Sequence, residues 1–211
     1  MKYQNIGLDI DGVIFDKYSF EIMWGMTYFQ TKYPFIEKEW LKNKRGSHFM
    51  EQFDCSSLEA FNFWVFNIFP YILDYKARED FSKLTKELLE EGKNVYIVTG
   101  RKERKYGLFC SLMLVFLTKW QLKKNEIGYT DIFFCANSNN VLEKYKIVKD
   151  LNIDLMVDDD TDVLRKIKTC CDVVCFKNPY HTEKLLDMSY VSSAHELKEY
   201  ILKREKKDNG K

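Results

Sequence analysis

The 211-residue chain lacks the patterns that mark several common function classes. Its six cysteines, Cys55, Cys110, Cys135, Cys170, Cys171 and Cys175, contain no CxxC pair, so the usual spacings for zinc or dithiol redox chemistry are missing. Several lie inside apolar runs, where Cys behaves as a small hydrophobe, and the expectation is reduced, structural thiols in a cytoplasmic protein. The three histidines, His48, His181 and His195, form no metal-binding spacing. An excess of one charge sign is also absent. Lys plus Arg total 33 against 32 for Asp plus Glu, and a net charge of +1 gives no general attraction to nucleic acid polymers or to an anionic membrane. Nor is there a long apolar run. The best candidate, "YGLFCSLMLVF" at 106–116, falls far short of the roughly 20 residues a spanning helix needs. "MKYQNIGLDI" has no apolar core of the kind a secretory leader carries, so neither a membrane association nor a leader is expected.

What is present is enough hydrophobic sequence, 45% of residues, to bury one substantial core with a small appended subdomain. Five short apolar runs read as strands: 5–10, 94–99, 131–135, 153–157 and 172–176. They are continuous rather than alternating, which suits parallel strands buried on both faces. Helical patterns lie between and after them, at about 78–92, 103–123, 140–151, 160–169 and 193–204, the last opened by a capping box of Ser193 and Glu196. Strands alternating with helices predict an α/β fold, a doubly wound parallel sheet whose ligands bind at the carboxyl ends of its strands. The stretch 17–77 breaks this rhythm. It is aromatic-rich and helical in pattern, and is expected to form a cap on an α/β core made of 1–16 and 78–204, with 205–211 as a flexible charged tail.

The sheet's carboxyl edge is where acids collect. In "GLDIDGVIFD", Asp9 and Asp11 follow the first strand two residues apart, and Gly12 allows a sharp turn beside them. Like charges this close need a cation or a shared proton between them, and oxygen-only ligands suit Mg2+. The fourth strand ends in "LMVDDD", which brings Asp158, Asp159 and Asp160 to the same edge if both strands are central. The second ends in "VTGR", placing Thr99, Gly100 and Arg101 where a hydroxyl and a backbone amide can bind phosphate oxygens. Lys144, Lys146 and Lys149 precede the fourth strand, and any one of them can reach a phosphate as a point charge. An EF-hand is excluded, because the glycine in "DIDGVIFD" falls at the fourth place rather than the sixth.

Taken in order, "LDIDGVIFD", "VYIVTGR", "EKYKIVKDLNID" and "LMVDDD" resemble the four motifs of the haloacid dehalogenase superfamily, over Ile6 to about Tyr200. "FKNPYH" at 176–181 is similar to a late loop of that family, and the "TGR" and "LMVDD" strings most resemble its bacterial 5'-nucleotidase and deoxyribonucleotidase-like branch. The resemblance implies a Rossmann-like core and a phosphomonoester hydrolase. Asp9 would be the nucleophile that forms an aspartyl-phosphate, and Asp11 the general acid and base. Mg2+ would be held by Asp9, the backbone carbonyl of Asp11, Asp158 and Asp159. Thr99, Gly100 and Arg101 would bind the phosphoryl group together with Lys144, whose spacing fits the family better than that of Lys146. Asp11 favours phosphoryl transfer over dehalogenation, and the position of the insertion implies a helical cap of the first type. Asp16 reads as a helix cap.

The substrate is expected to be a small phosphomonoester, with a nucleoside 5'-monophosphate the first choice and a sugar or polyol phosphate the alternative. Trp24, Tyr28, Phe61, Phe63 and Trp64 either stack on that substrate or pack as core, and "RKERK" at 101–105 is either a basic funnel or a solvated turn. A catalytically silent binding protein on the same fold is the competing reading. A receiver-type signalling domain is disfavoured by the DxD pair and the insertion.

Overall fold

The computed structural model describes residues 3–29, 49–101, 108–135, 140–177 and 188–209. Among these, six strands form one parallel sheet: β1 (Asn5–Leu8), β2 (Asn94–Thr99), β3 (Asp131–Phe134), β4 (Leu155–Asp158), β5 (Asp172–Phe176) and β6 (Ser189–Val191). Between β1 and β2 lie α1 (Lys17–Phe29), α2 (Phe49–Phe53), α3 (Ser57–Leu73) and α4 (Phe81–Glu90). Then α5 (Leu108–Lys124) follows β2, α6 (Asn140–Asp150) follows β3, α7 (Thr161–Ile167) follows β4 and α8 (Ala194–Asn209) follows β6. The sheet order is β3-β2-β1-β4-β5-β6. The expected doubly wound α/β fold is therefore present, with its switch of direction between β1 and β4, the place where such sheets open a crevice at their carboxyl ends.

The continuous apolar runs become strands because both faces are covered. Every residue of β4 is buried, and Met156 packs with Val148 of α6 and Val163, Leu164 and Ile167 of α7. Strand β1 stops at Leu8 rather than Ile10. Asp9 still donates its N–H to the Val157 carbonyl at 2.9 Å, and the chain then folds into a tight loop. Gly12 donates to the Phe15 carbonyl at 2.8 Å and Phe15 to that of Ile10 at 2.9 Å, with Val13, Ile14 and Phe15 fully buried beneath. Gly12 makes the turn possible with φ of +91°, a conformation that costs a residue with a Cβ.

Three local expectations change. Strand β6 has no counterpart in the apolar runs, because it is a three-residue edge strand with Tyr190 exposed. The charged segment from 205 does not begin a tail: α8 runs on to Asn209, and Glu205 pairs with the buried ammonium of Lys93, which also donates to the Tyr3 carbonyl. At the start of α8, Ser193 Oγ accepts from the Glu196 N–H at 3.1 Å, but the Glu196 carboxylate reaches Ser192 rather than Ser193. The described cysteines are free thiols, and burial pushes Cys135 and Cys175 up to about 12. Among the described residues no helix is long and apolar enough to cross a membrane.

The chain separates into two compact units. One contains the sheet and takes the described residues of 1–15, 76–177 and 185–211. The other takes those of 16–75. In that second unit Asp16 caps α1, accepting from the Ser19 N–H at 3.1 Å and the Ser19 hydroxyl at 2.7 Å. A complete capping box of Ser56 and Glu59 opens α3. Its interior is a set of aromatic contacts, with the Phe49 and Phe63 rings 4.5 Å apart and Phe20 4.8 Å from Tyr71. Phe63 is fully buried there, so of the expected stacking candidates it serves as core, while Trp24 and Phe61 remain exposed.

Candidate active site

Strands β1 and β4 are neighbours with Leu8 opposite Val157, so the residues that follow them emerge side by side. Asp9, Asp158 and Asp159 are all buried, and one carboxylate oxygen from each lies within 4.8 Å of the others. Helix α6 delivers Lys144 into this group. Its Nζ donates to Asp9 Oδ1 at 2.8 Å and to Asp158 Oδ2 at 2.7 Å, while Lys146 and Lys149 are exposed. The third acid of the run does something else: Asp160 caps α7, accepting from the N–H groups of Asp162 and Val163 at 2.9 and 3.2 Å. Gly12 matters a second time here, because a Cβ at that position would occupy the space of the Asp159 carboxylate.

The electrostatics follow from burial. Three carboxylates face one ammonium, a formal excess of two negative charges with little water to screen them. Burial raises Asp9 to about 7, with Lys144 pulling the other way and Asp158 and Asp11 adding to the rise. Asp158 is raised to about 6, again first by burial and against the pull of Lys144. Burial also disfavours the Lys144 ammonium, but Asp158 and Asp9 outweigh it and hold the group well above its ordinary value. Three buried carboxylates with only oxygen atoms to offer, two of them held above their ordinary values, fit a divalent cation such as Mg2+.

Asp11 stands apart from that group. Its carboxylate is held by Arg101 in a two-point fork, with Nε to Oδ2 at 2.8 Å and Nη2 to Oδ1 at 2.6 Å. Arg101 is itself buried, fixed by a 2.7 Å bond from Nη1 to Oε1 of Gln121 on α5 and by the Phe15 ring 5.7 Å from its guanidinium carbon. At least three of its N–H donors are thus engaged with protein groups, two of them with Asp11. Thr99 is buried at the end of β2, its hydroxyl 3.4 Å from the Arg101 N–H, and Gly100 lies against the carboxamide of Asn140. Arg78 braces the loop from below, donating its backbone N–H to the Ile14 carbonyl at 2.8 Å and a guanidinium N–H to the Gly12 carbonyl at 3.3 Å.

The structure therefore gathers Asp9, Lys144, Asp158 and Asp159 at one point and ties Asp11 to Arg101, with Thr99 and Gly100 on the adjoining loop. Gln121, Asn140 and Arg78 were not anticipated. Only their polarity within otherwise apolar or helical stretches could have pointed to them. His195 sits on α8, exposed and 3.3 Å from Glu199. His48, His181, residues 102–105 of the basic cluster and 178–181 of the late loop lie outside the described residues.

No protein-family model matches the sequence, and no curated protein matches it. Solved structures do. A Bacteroides fragilis protein described as a haloacid dehalogenase-like hydrolase superposes with a TM-score of 0.61 at 12% identity, covering 93% of this chain and all of the other. Bacillus subtilis YfnB, described as a hydrolase of the same kind and bound to magnesium, gives 0.59 at 12%, covering 95% and 99%. A variant of CbbY from Rhodobacter sphaeroides, in complex with xylulose-1,5-bisphosphate, gives 0.57 at 12%, covering 92% and 96%. The fold is that of the haloacid dehalogenase-like hydrolases. In an open α/β sheet the crevice at the switch point is the default ligand site, and here it coincides with the carboxylates that follow β1 and β4.

Proposed function

We propose that this chain is a Mg2+-dependent phosphomonoester hydrolase of the haloacid dehalogenase superfamily, acting through an aspartyl-phosphate on Asp9. One observation carries the reading: three buried carboxylates and one buried lysine meet at the carboxyl ends of the two central strands, an arrangement that is costly for stability alone. Asp9, Asp158 and Asp159 would hold the cation, with the backbone carbonyl of Asp11. When bound, Mg2+ would supply charge neutralisation for a dianionic phosphoryl group approaching a carboxylate.

The chain's own groups then divide the chemistry. Asp9 attacks phosphorus as the ester P–O bond breaks, and Asp11, protonated once the incoming phosphoryl group draws donors of Arg101 away from it, gives that proton to the departing alkoxide. Water then attacks the aspartyl-phosphate, its proton passing to Asp11, and inorganic phosphate leaves with Asp9 restored. Thr99, Gly100 and Lys144 hold the phosphoryl oxygens, while Arg101 joins them only by sharing its donors with Asp11. The favoured substrate is a small one, a nucleoside 5'-monophosphate first. A sugar or polyol phosphate is the second reading, favoured by the bisphosphate bound to CbbY.

A panel of phosphomonoesters assayed with Mg2+ tests this. Turnover is expected, lost in Asp9→Asn with the fold retained by circular dichroism. Wild-type turnover in that variant, or none in the wild type on any phosphomonoester, removes the reading. Activity set by the sugar and indifferent to the base replaces the nucleotide with a sugar phosphate.

A further inference from the structure

Asn140 is the first helical residue of α6, one turn before Lys144, so the two side chains share a helix face. Helical side chains lean towards the N-terminus, which sends Lys144 along the turn that Asn140 occupies. The Asn140 carboxamide rests on the loop after β2: a Cβ built on Gly100 would lie 2.7 Å from Nδ2 and 3.1 Å from Cγ. It is thus pinned between the residue that follows Thr99 and the helix that supplies the site's lysine. Yet its amide oxygen is left unused. Oδ1 is fully buried and, among the described residues, has no hydrogen-bond partner.

A buried amide oxygen without a partner destabilises the protein that carries it, and an apolar side chain of similar size would avoid the cost. The carboxamide also carries two N–H donors on Nδ2, and a half-turn of the terminal torsion exchanges Nδ2 with Oδ1, so either end of the pinned group can supply a donor. We infer that Asn140 is a substrate-contacting residue, its carboxamide donating an N–H to a phosphoryl oxygen between the Thr99 hydroxyl and the Lys144 ammonium. This rests on the phosphatase reading above and extends the phosphoryl cradle from the β2 loop to the first turn of α6.

The test compares wild type with Asn140→Ala and with the near-isosteric Asn140→Asp. Three quantities are read: thermal midpoint, kcat and KM on a phosphomonoester with Mg2+, and binding of orthovanadate by calorimetry. Asn140→Ala is expected to keep or raise the midpoint while weakening vanadate binding and lowering kcat/KM about 10- to 100-fold, the range one hydrogen bond to a charged group carries. Asn140→Asp sets a carboxylate against the phosphoryl group and should lose more. Unchanged vanadate affinity and kcat/KM in Asn140→Ala, beside an active wild type and an inactive Asp9→Asn, overturn the Asn140 assignment alone. A midpoint drop that accounts for the whole activity loss, with kcat and KM of the folded fraction unchanged, overturns it too. A wild type that neither binds vanadate nor turns over overturns the phosphatase reading, and this assignment with it.

Discussion

Lys144→Met removes the one cation that, among the described residues, bonds to both Asp9 and Asp158, and keeps the length of the stem. Both carboxylates are buried, and the lysine reaches them at 2.8 and 2.7 Å. Removing one partner from a buried ion pair typically costs about 3–5 kcal/mol, because the remaining charge is left without compensation. For a chain of this size 1 kcal/mol moves the midpoint by roughly 2–4 °C, so the metal-free variant should melt about 6–20 °C below wild type. The deficit should depend on pH with a definite sign. Asp9 and Asp158 already sit above their ordinary 3.8, at about 7 and about 6, and lose the pull that restrains them. An acid whose folded value exceeds its unfolded value binds more protons when folded, so its charged form destabilises the fold as pH rises through that window. The gap from wild type should therefore widen between pH 5 and pH 8. Added Mg2+ should narrow it, because without the lysine the carboxylates are less compensated and bind the cation more tightly, and each tenfold gain in affinity over wild type closes the gap by about 1.4 kcal/mol at saturating Mg2+. Differential scanning calorimetry at both pH values, with and without Mg2+, measures all of this. A deficit of under about 1 kcal/mol, or one indifferent to both pH and Mg2+, refutes the picture of three buried acids around one lysine.

Other substitutions probe separate parts. Arg101→Lys replaces a rigid fork with a point charge that cannot bind both oxygens of Asp11 and also reach Gln121; steady-state kinetics should show kcat falling about tenfold or more with a smaller change in KM. Asp16→Ala should cost about 0.5–2 kcal/mol in urea unfolding, the usual worth of a helix cap, and leave kcat unchanged. In metal-free wild type, the raised Asp9 makes stability fall as pH climbs from about 4 to about 7, and Asp9→Asn should flatten that part of the thermal profile.

The sheet and its carboxylates were legible because their causes are local. Continuous apolar runs at βα spacing dictate buried parallel strands, and an acid directly after such a run has to lie at the sheet edge. Asp158 and Asp159 could be paired with Asp9 from sequence because β1 and β4 are both central. Asp11 and Arg101 could not be paired. Their fork spans 90 residues and depends on how the loop from Ile10 to Phe15 turns at Gly12, which strand logic does not reach. The same holds for Gln121 and Asn140, whose side chains acquire meaning only from what packs against them. The end of α8 was misjudged because "KREKK" reads as solvated, whereas Glu205 is held by Lys93, a buried ammonium that a charge count treats as surface.

The central claim is that Asp9 carries the phosphoryl group. Rapid acid quench of the wild type with Mg2+ and its best phosphomonoester, followed by peptide mass spectrometry, reads this directly. The account predicts a phosphoryl group on Asp9, acid-stable and labile to hydroxylamine, that forms and decays with turnover. Sustained turnover with no phosphoryl group on Asp9, or with one on another residue, contradicts it.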